Sequence, residues 1–482
     1  MKLLSKILTL TTSALLAAGF LVASPSVMPT SASAETTISQ LGIDIDGEAA
    51  GDLSGSSVSL SSNGTRVAIG GYGASGSTGQ VRIYDYNGTA WVKVGGDIDA
   101  EASGDYFGFA VSLSSDGTRV AIGAFGNDGS NGTDSGHVRI YEYDGVDGDS
   151  DGINKWTKVG GDIDGEAAVD RSGRSVSLSS NGTRVAIGAL YNDGSNGTDS
   201  GHVRIYEYDG VDGDSDGINK WTKIGEDIDG EAASDLSGSS VSLSSNGTRV
   251  AIGAYANGGA GGDRVGHVRI YDWNGSDWIK VGDDIDGEAD IDLSGFSVSI
   301  SSDGSRVAIG SPYNDGVGVN AGSVRIYEWS GSAWEQRGSD IDGEFAGDLS
   351  GYAVAISSDG SRVVIGARQH NATYEGTVRI YDWDGSDWIK VGDDIDGEAS
   401  NDFSGHSVSI SSDGSRVAIG SPFNDGVGLN AGHTRLYLMS TLSPGLTPAA
   451  PAAPAAPAPY SGPLPTNYSD RTPSIGDEVV VS

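Results

Sequence analysis

The most specific chemistry in this chain lies in two short acidic segments. Asp147-Gly148-Asp149-Ser150-Asp151-Gly152 recurs as Asp212-Gly213-Asp214-Ser215-Asp216-Gly217. Carboxylates at positions 1, 3 and 5, followed by the position-7 carbonyl of Ile153 or Ile218, begin the kind of loop that wraps a hard cation around a glycine turn. Position 12 is Lys158 or Lys223 in place of a bidentate Glu, so a further ligand must come from another segment or from water. Three aspartates this close repel one another unless a cation intervenes. We therefore expect Ca2+ at Asp147, Asp149, Asp151 and Ile153, and at Asp212, Asp214, Asp216 and Ile218. The alternative is a pair of solvated acidic turns.

A second acidic pattern is spread along the whole chain. Asp44-Ile45-Asp46-Gly47-Glu48 with Asp52 returns as Asp162, Asp164, Glu166 and Asp170, and again as Asp394, Asp396, Glu398 and Asp402. Because it recurs throughout, we expect a structural connection, with Asp52 and its equivalents capping backbone N–H groups of the following turn. Four of the six histidines (His137, His202, His267 and His433) also fall at one recurring position, which argues for a structural role. No serine-nucleophile elbow, His-Glu-x-x-His zinc motif or phosphate loop occurs, so enzyme signals are poor. One segment departs from its counterparts more than any other. Arg368-Gln369-His370-Asn371-Ala372-Thr373-Tyr374 makes Arg368, Gln369, His370 and Tyr374 the candidate ligand-binding residues.

The elements that must position these groups are seven copies of one unit. Ser-Ser-[Asn/Asp]-Gly-[Thr/Ser]-Arg-Val-[Ala/Val]-Ile-Gly ends at Gly70, Gly123, Gly188, Gly253, Gly310, Gly366 and Gly420, at spacings of 53 to 65 residues. An alternating run such as Val58/Leu60 precedes each copy, and an Asn-Gly or Asp-Gly tip with both central residues at positive φ is expected between the two strands. Val-Arg-Ile-Tyr and then Trp-x-x-[Val/Ile]-Gly supply a third and a fourth strand. Four antiparallel strands repeated seven times make an all-β, seven-bladed propeller, because each blade buries its faces against its neighbours.

The two ends support this count. Unit seven stops after Thr434-Arg435-Leu436-Tyr437 with no Trp strand, while Ile38-Ser39-Gln40-Leu41-Gly42 stands just before Asp44-Ile45-Asp46. The first residues after the leader should therefore complete the last blade and close the ring. Residues 1–34 read as a secretory signal peptide with cleavage after Ala34, residues 35–442 as the propeller, and residues 443–482 as a Pro/Ala-rich tail or linker. A net charge of −37 without a basic patch argues against nucleic acid. The absence of cysteine excludes disulfides, thiol catalysis and thiolate metal sites. No second apolar run is long enough to span a bilayer.

Asp105-Tyr106-Phe107-Gly108-Phe109-Ala110-Val111, followed by Val120-Ala121-Ile122-Gly123-Ala124, resembles the FG-GAP repeat of integrin α-subunit propellers and of many secreted bacterial proteins. Other units keep the frame with Ser for Phe, as in Asp52-Leu53-Ser54-Gly55. Ser-Ser-Asp-Gly-Ser-Arg-Val-Ala-Ile-Gly with Val-Arg-Ile-Tyr-Asp-Trp is also similar to WD40 strands, although the period here is longer. The FG-GAP resemblance implies a propeller architecture and names no ligand. Its usual calcium loop between the FG and GAP strands is replaced here by the short Ser-Ser-Asn-Gly tip.

These observations lead us to expect a secreted or cell-surface, non-catalytic interaction or adhesion module. It would be stabilised by calcium and would bind an extracellular protein or glycan over one propeller face. The alternatives are a glycan-active enzyme using carboxylates at the propeller mouth, and a structural surface coat.

Overall fold

Alternating strands rich in Val and Ile, separated by glycine turns, form seven antiparallel sheets arranged around one axis. The computed structural model describes residues 36–145, 156–210, 221–258, 263–370 and 372–441. Residues 1–34 (the expected leader), the Pro/Ala-rich tail and both Asp-Gly-Asp-Ser-Asp-Gly loops lie outside the described residues.

The first blade shows the pattern. Its strands run Ser57–Leu60, Arg66–Gly71, Gln80–Tyr86 and Trp91–Lys93 from the axis outward. A fifth, two-residue strand joins each sheet. Here it is Ile98–Asp99, which pairs with Val81 and Gln80. The Asp-Ile-Asp connection is thus itself a strand, and the reason is geometric. The Trp strand covers only Tyr84 to Tyr86 of the third strand, leaving the other end as an open edge that the Ile-Asp pair closes.

The tips also differ from expectation. Gly64 has φ +62° and Asn63 is not among the residues of positive φ, so the turn is not of the doubly left-handed type. The Asn63 carboxamide oxygen accepts from the Thr65 N–H and hydroxyl at 2.9 and 2.7 Å and from the Ser61 hydroxyl at 2.9 Å. These bonds hold a four-residue tip in which only the glycine needs the left-handed region.

Packing between blades follows from large and small residues on opposite faces of the second strand. Val67 and Ile69 face Ala418 and Leu436 of the seventh blade, while Ala68, with Val81 and Ile83, faces Val120 and Ile122 of the second. Each sheet therefore presents a bulky face to one neighbour and a flatter one to the next, which fills the wedge between them. On the rim, Trp156 donates its indole N–H to the Val94 carbonyl at 3.0 Å and Trp221 to the Val159 carbonyl at 2.9 Å. Each indole thereby ties its blade to the preceding one.

The ring closes as the split repeat predicts. Thr36–Gln40 pairs antiparallel with His433–Thr441, with Ile38 opposite Met439 and Gln40 opposite Tyr437. Ile38 joins a core that includes Val417, Ile419 and Met439.

Candidate functional site

Two regions gather side chains able to do chemistry: the axial mouth at the end opposite the tips, and the polar seams where the blade connections meet the third strands.

The mouth is built by the residue that follows the glycine preceding each innermost strand. Around the ring these are Ser56, Phe109, Arg174, Ser239, Phe296, Tyr352 and His406, all buried. They differ from blade to blade in an otherwise repetitive molecule, and they touch across the blades. Tyr72 lies 5.3 Å from Phe109, Phe296 lies 4.9 Å from Tyr352, and Tyr352 lies 5.2 Å from His406, measured between ring centroids. The Arg174 guanidinium sits 4.3 Å over Phe109. Below this layer runs an axial cavity of about 280 Å³ lined by Ser, Ala, Val and Ile of the innermost strands.

The structure separates the four candidates of the sixth blade. Arg368 is half-buried at the mouth, stacked 3.8 Å over Tyr352 and donating to its hydroxyl at 2.9 Å. Its Nε has no hydrogen-bond partner among the described residues. Tyr374 is 44% exposed and stacks on Phe403 at 5.8 Å. The Gln369 N–H donates to the Asp348 carbonyl, which pins the loop. His370 is buried, its Nδ1 3.1 Å from the Asp348 carboxylate. In other blades Asn192, Asn314 and Asn424 occupy this place and donate at 3.0 Å to Asp170, Asp292 and Asp402. His370 therefore replaces an asparagine in a recurring buried pair, a substitution that aligning the second-strand ends would have revealed.

His406, missed by sequence reasoning, is the more unusual group. Burial, followed by the charges of Arg368 and Arg174, holds its imidazole well below the usual histidine range. Its Nε2 is buried without a partner among the described residues.

At the seams, Asp52 caps the turn that precedes it, not the one that follows. Its carboxylate accepts from the Glu48 and Ala49 N–H groups at 3.0 and 2.8 Å, and Asp170, Asp235 and Asp402 repeat the motif. Beside each cap sits a polar cluster. In the third blade, Glu166, His202 and Asp227 bring ligand-type atoms within 4.8 Å of one another, as do Glu231, His267 and Asp284 in the fourth. The closing blade has Asp44, Glu398 and His433, and the sixth has His370, Asp394 and Asp396.

Such groups could hold an ion, but most already contain cations. Arg204 lies 3.5 Å from Glu166, and Lys223 lies 2.6 Å from Asp227. In the second blade, hydrogen bonds from Arg139 and Lys158 overcome the effect of burial and hold Asp162 down at about 2. Burial and the neighbouring arginine push His202 and His267 down to about 4. A mixed nitrogen and oxygen set also departs from calcium's all-oxygen preference. The eight loop residues expected to bind calcium lie outside the described residues.

The glycines of the repeat are explained by blade approach. A Cβ on Gly123 would stand on the carbonyl oxygen of Gly173 in the next blade, and Gly108 holds φ +83°, a conformation costly for other residues. Between them the innermost strands interlock. The Ser57 and Ser175 hydroxyls donate at 2.8 Å to the Gly108 and Gly238 carbonyls of the following blades.

Comparison with known proteins agrees with this construction. A family model described as the FG-GAP repeat matches residues 99–141, the unit that contains Phe107-Gly108 and Gly123-Ala124. A search of curated proteins finds no significant match. The chain is a seven-bladed β-propeller carrying an FG-GAP repeat.

Proposed function

We propose that this protein is a secreted or cell-surface, non-catalytic interaction module that binds an extracellular protein or glycan over the face bearing the axial mouth. The observation that carries this reading is the asymmetry between the two faces. The tips repeat almost residue for residue, while the mouth position holds five different residue types over the seven blades. The loops on the mouth side also expose apolar groups: Val317, Val319, Phe345, Tyr374, Val427 and Leu429 are each 44–68% exposed. Exposed apolar side chains beside blade-specific aromatic and arginine residues suit a partner surface. Arg368 favours a ligand that presents an anionic group to its guanidinium edge.

Calcium at the two Asp-rich loops is part of the proposal, as a stabiliser of the third-to-fourth-strand turns of blades two and three. The test is a panel of immobilised extracellular glycans and matrix proteins probed with the wild type and with Arg368→Ala and Tyr374→Ala. At least one ligand should be bound by the wild type and weakened about tenfold or more by the substitutions. Equal binding by all three proteins would overturn the reading.

A further inference from the structure

The closing blade differs from every other at its seam. Each third strand opens beside a Glu from the connection and an Asp that follows the outer strand, and a lysine on that outer strand usually pairs with the Asp. Lys93 and Asp97 are 2.5 Å apart, Lys158 and Asp162 are 2.9 Å apart, and Lys280 and Lys390 pair with Asp284 and Asp394. In the closing blade the outer strand comes from the N-terminus and carries Gln40, whose amide donates to Asp44 at 2.5 Å. The fifth blade also has a glutamine, Gln336, but Ser323 stands there in place of the histidine. The closing blade alone combines the histidine with an uncharged partner.

The second cation also stands further from the glutamate. Arg139 and Arg379 reach Glu101 and Glu344 at 2.5 and 3.2 Å. In blades three to five the pair loosens to 3.5, 3.7 and 3.9 Å, and among the described residues Arg435 forms no ion pair with Glu398; like Arg204, Arg269 and Arg325 it donates to a connection carbonyl, that of Asp396, at 2.7 Å. Glu398 and Asp44 thus face each other without the lysine that most of their counterparts carry, with Arg435 acting on Glu398 from beyond ion-pair distance. Between them points His433, 1% exposed, with Nδ1 4.0 Å from Asp44 and 3.8 Å from Glu398, beyond hydrogen-bond reach of both. Its Nε2 is buried without a partner among the described residues.

We propose that Asp44, Glu398 and His433 bind a first-row divalent cation, with Zn2+ the best fit, which clasps the N-terminal segment to the last blade. One imidazole and two carboxylates suit a borderline ion better than calcium. The ligand atoms lie within 4.8 Å of one another and need to close by about 1 Å to meet zinc–ligand distances. The clasp compensates for what the last blade lacks. Ile38 stands where other blades carry the Trp whose indole binds the preceding blade, and only hydrogen bonds and packing hold Thr36–Gln40 in place. The proposal is independent of the ligand-binding reading and of the Asp-rich loops.

The test is calorimetric titration of the mature protein with Zn2+, with millimolar calcium present throughout so that the Asp-rich loops are saturated, alongside a thermal melt. The wild type should bind one zinc ion tightly and melt about 3–5 °C higher with it. His433→Gln should lose both effects. Gln40→Lys installs the lysine that the other blades carry, so it should fold normally and also lose the tight site. Tight zinc binding that persists in Gln40→Lys, or the absence of tight zinc binding in the wild type, overturns the proposal.

Discussion

The Ser412 N–H donates to the Ser62 carbonyl at 2.8 Å, joining the tips of the last and first blades. It completes a circle in which Ser62, Ser115, Ser180, Ser245, Ser302 and Ser358 each donate to the next, at 2.8–3.1 Å. A second circle surrounds it, as Arg66, Arg119 and their equivalents reach the tip carbonyls of the following blades, ending with Arg416 on Gly64 at 3.0 Å. The recurrent Ser-Ser-x-Gly-x-Arg is thus a device for joining blades as much as for turning the chain.

If the N-terminal strand closes the ring by packing, Ile38→Asp should be costly. It puts a charge among Val417, Ile419 and Met439, and we expect a loss of about 2–4 kcal/mol. Chemical denaturation checks this, and an unchanged midpoint would contradict it.

The rim indoles separate hydrogen bonding from packing. Trp221→Phe keeps an aromatic ring but loses the bond to Val159, and should cost about 1 kcal/mol. Trp221→Ala also opens a cavity in the core it shares with Val185 and Ile187, and should cost about 3–5 kcal/mol. Denaturant midpoints of the two variants give the difference directly.

Buried His406 makes stability depend on pH. Its folded value lies well below the ordinary one because of burial, Arg368 and Arg174, and Tyr352 and Phe423 pack against the ring. Only the unfolded chain takes up a proton there near pH 6.5, so the contribution is complete above that pH and is lost as pH falls. The melting temperature should drop by several degrees between pH 7 and pH 5. His406→Phe should reduce that drop, and an unaltered pH profile in the variant would contradict the assignment.

His370→Asn restores the residue that other blades use against the same buried aspartate. We expect a stability change within about 0.5 kcal/mol and ligand binding equal to wild type. A large loss of binding without loss of stability would return His370 to the binding surface.

The architecture was legible because a propeller repeats its instructions. Seven copies of Arg-Val-[Ala/Val]-Ile-Gly, and a last unit lacking its Trp strand where the N-terminus supplies Ile38, were enough to place the strands and the closure. Less legible was what depends on partners distant in the chain. The sequence gives no sign that Ser57 binds the next blade, or that Arg174, Tyr352 and His406, from three different blades, meet at one mouth. Asp44-Ile45-Asp46 read as a connection because two residues are too few to show an alternating period, and only the exposed edge of the third strand explains why they pair. The lack of a lysine at Gln40 was visible in the alignment of repeats, but its meaning depends on His433 and Glu398 lying beside it.

The closure itself can be tested most directly by cross-linking. Thr37 and Ser440 are paired residues of the N-terminal and last strands, with hydroxyls 3.0 Å apart, and the chain has no cysteine of its own. Thr37→Cys with Ser440→Cys should oxidise to one intramolecular disulfide, seen as faster migration on a non-reducing gel and a raised melting temperature. Free thiols, or disulfide-linked dimers in place of the internal bond, would contradict a ring closed by its own N-terminal strand.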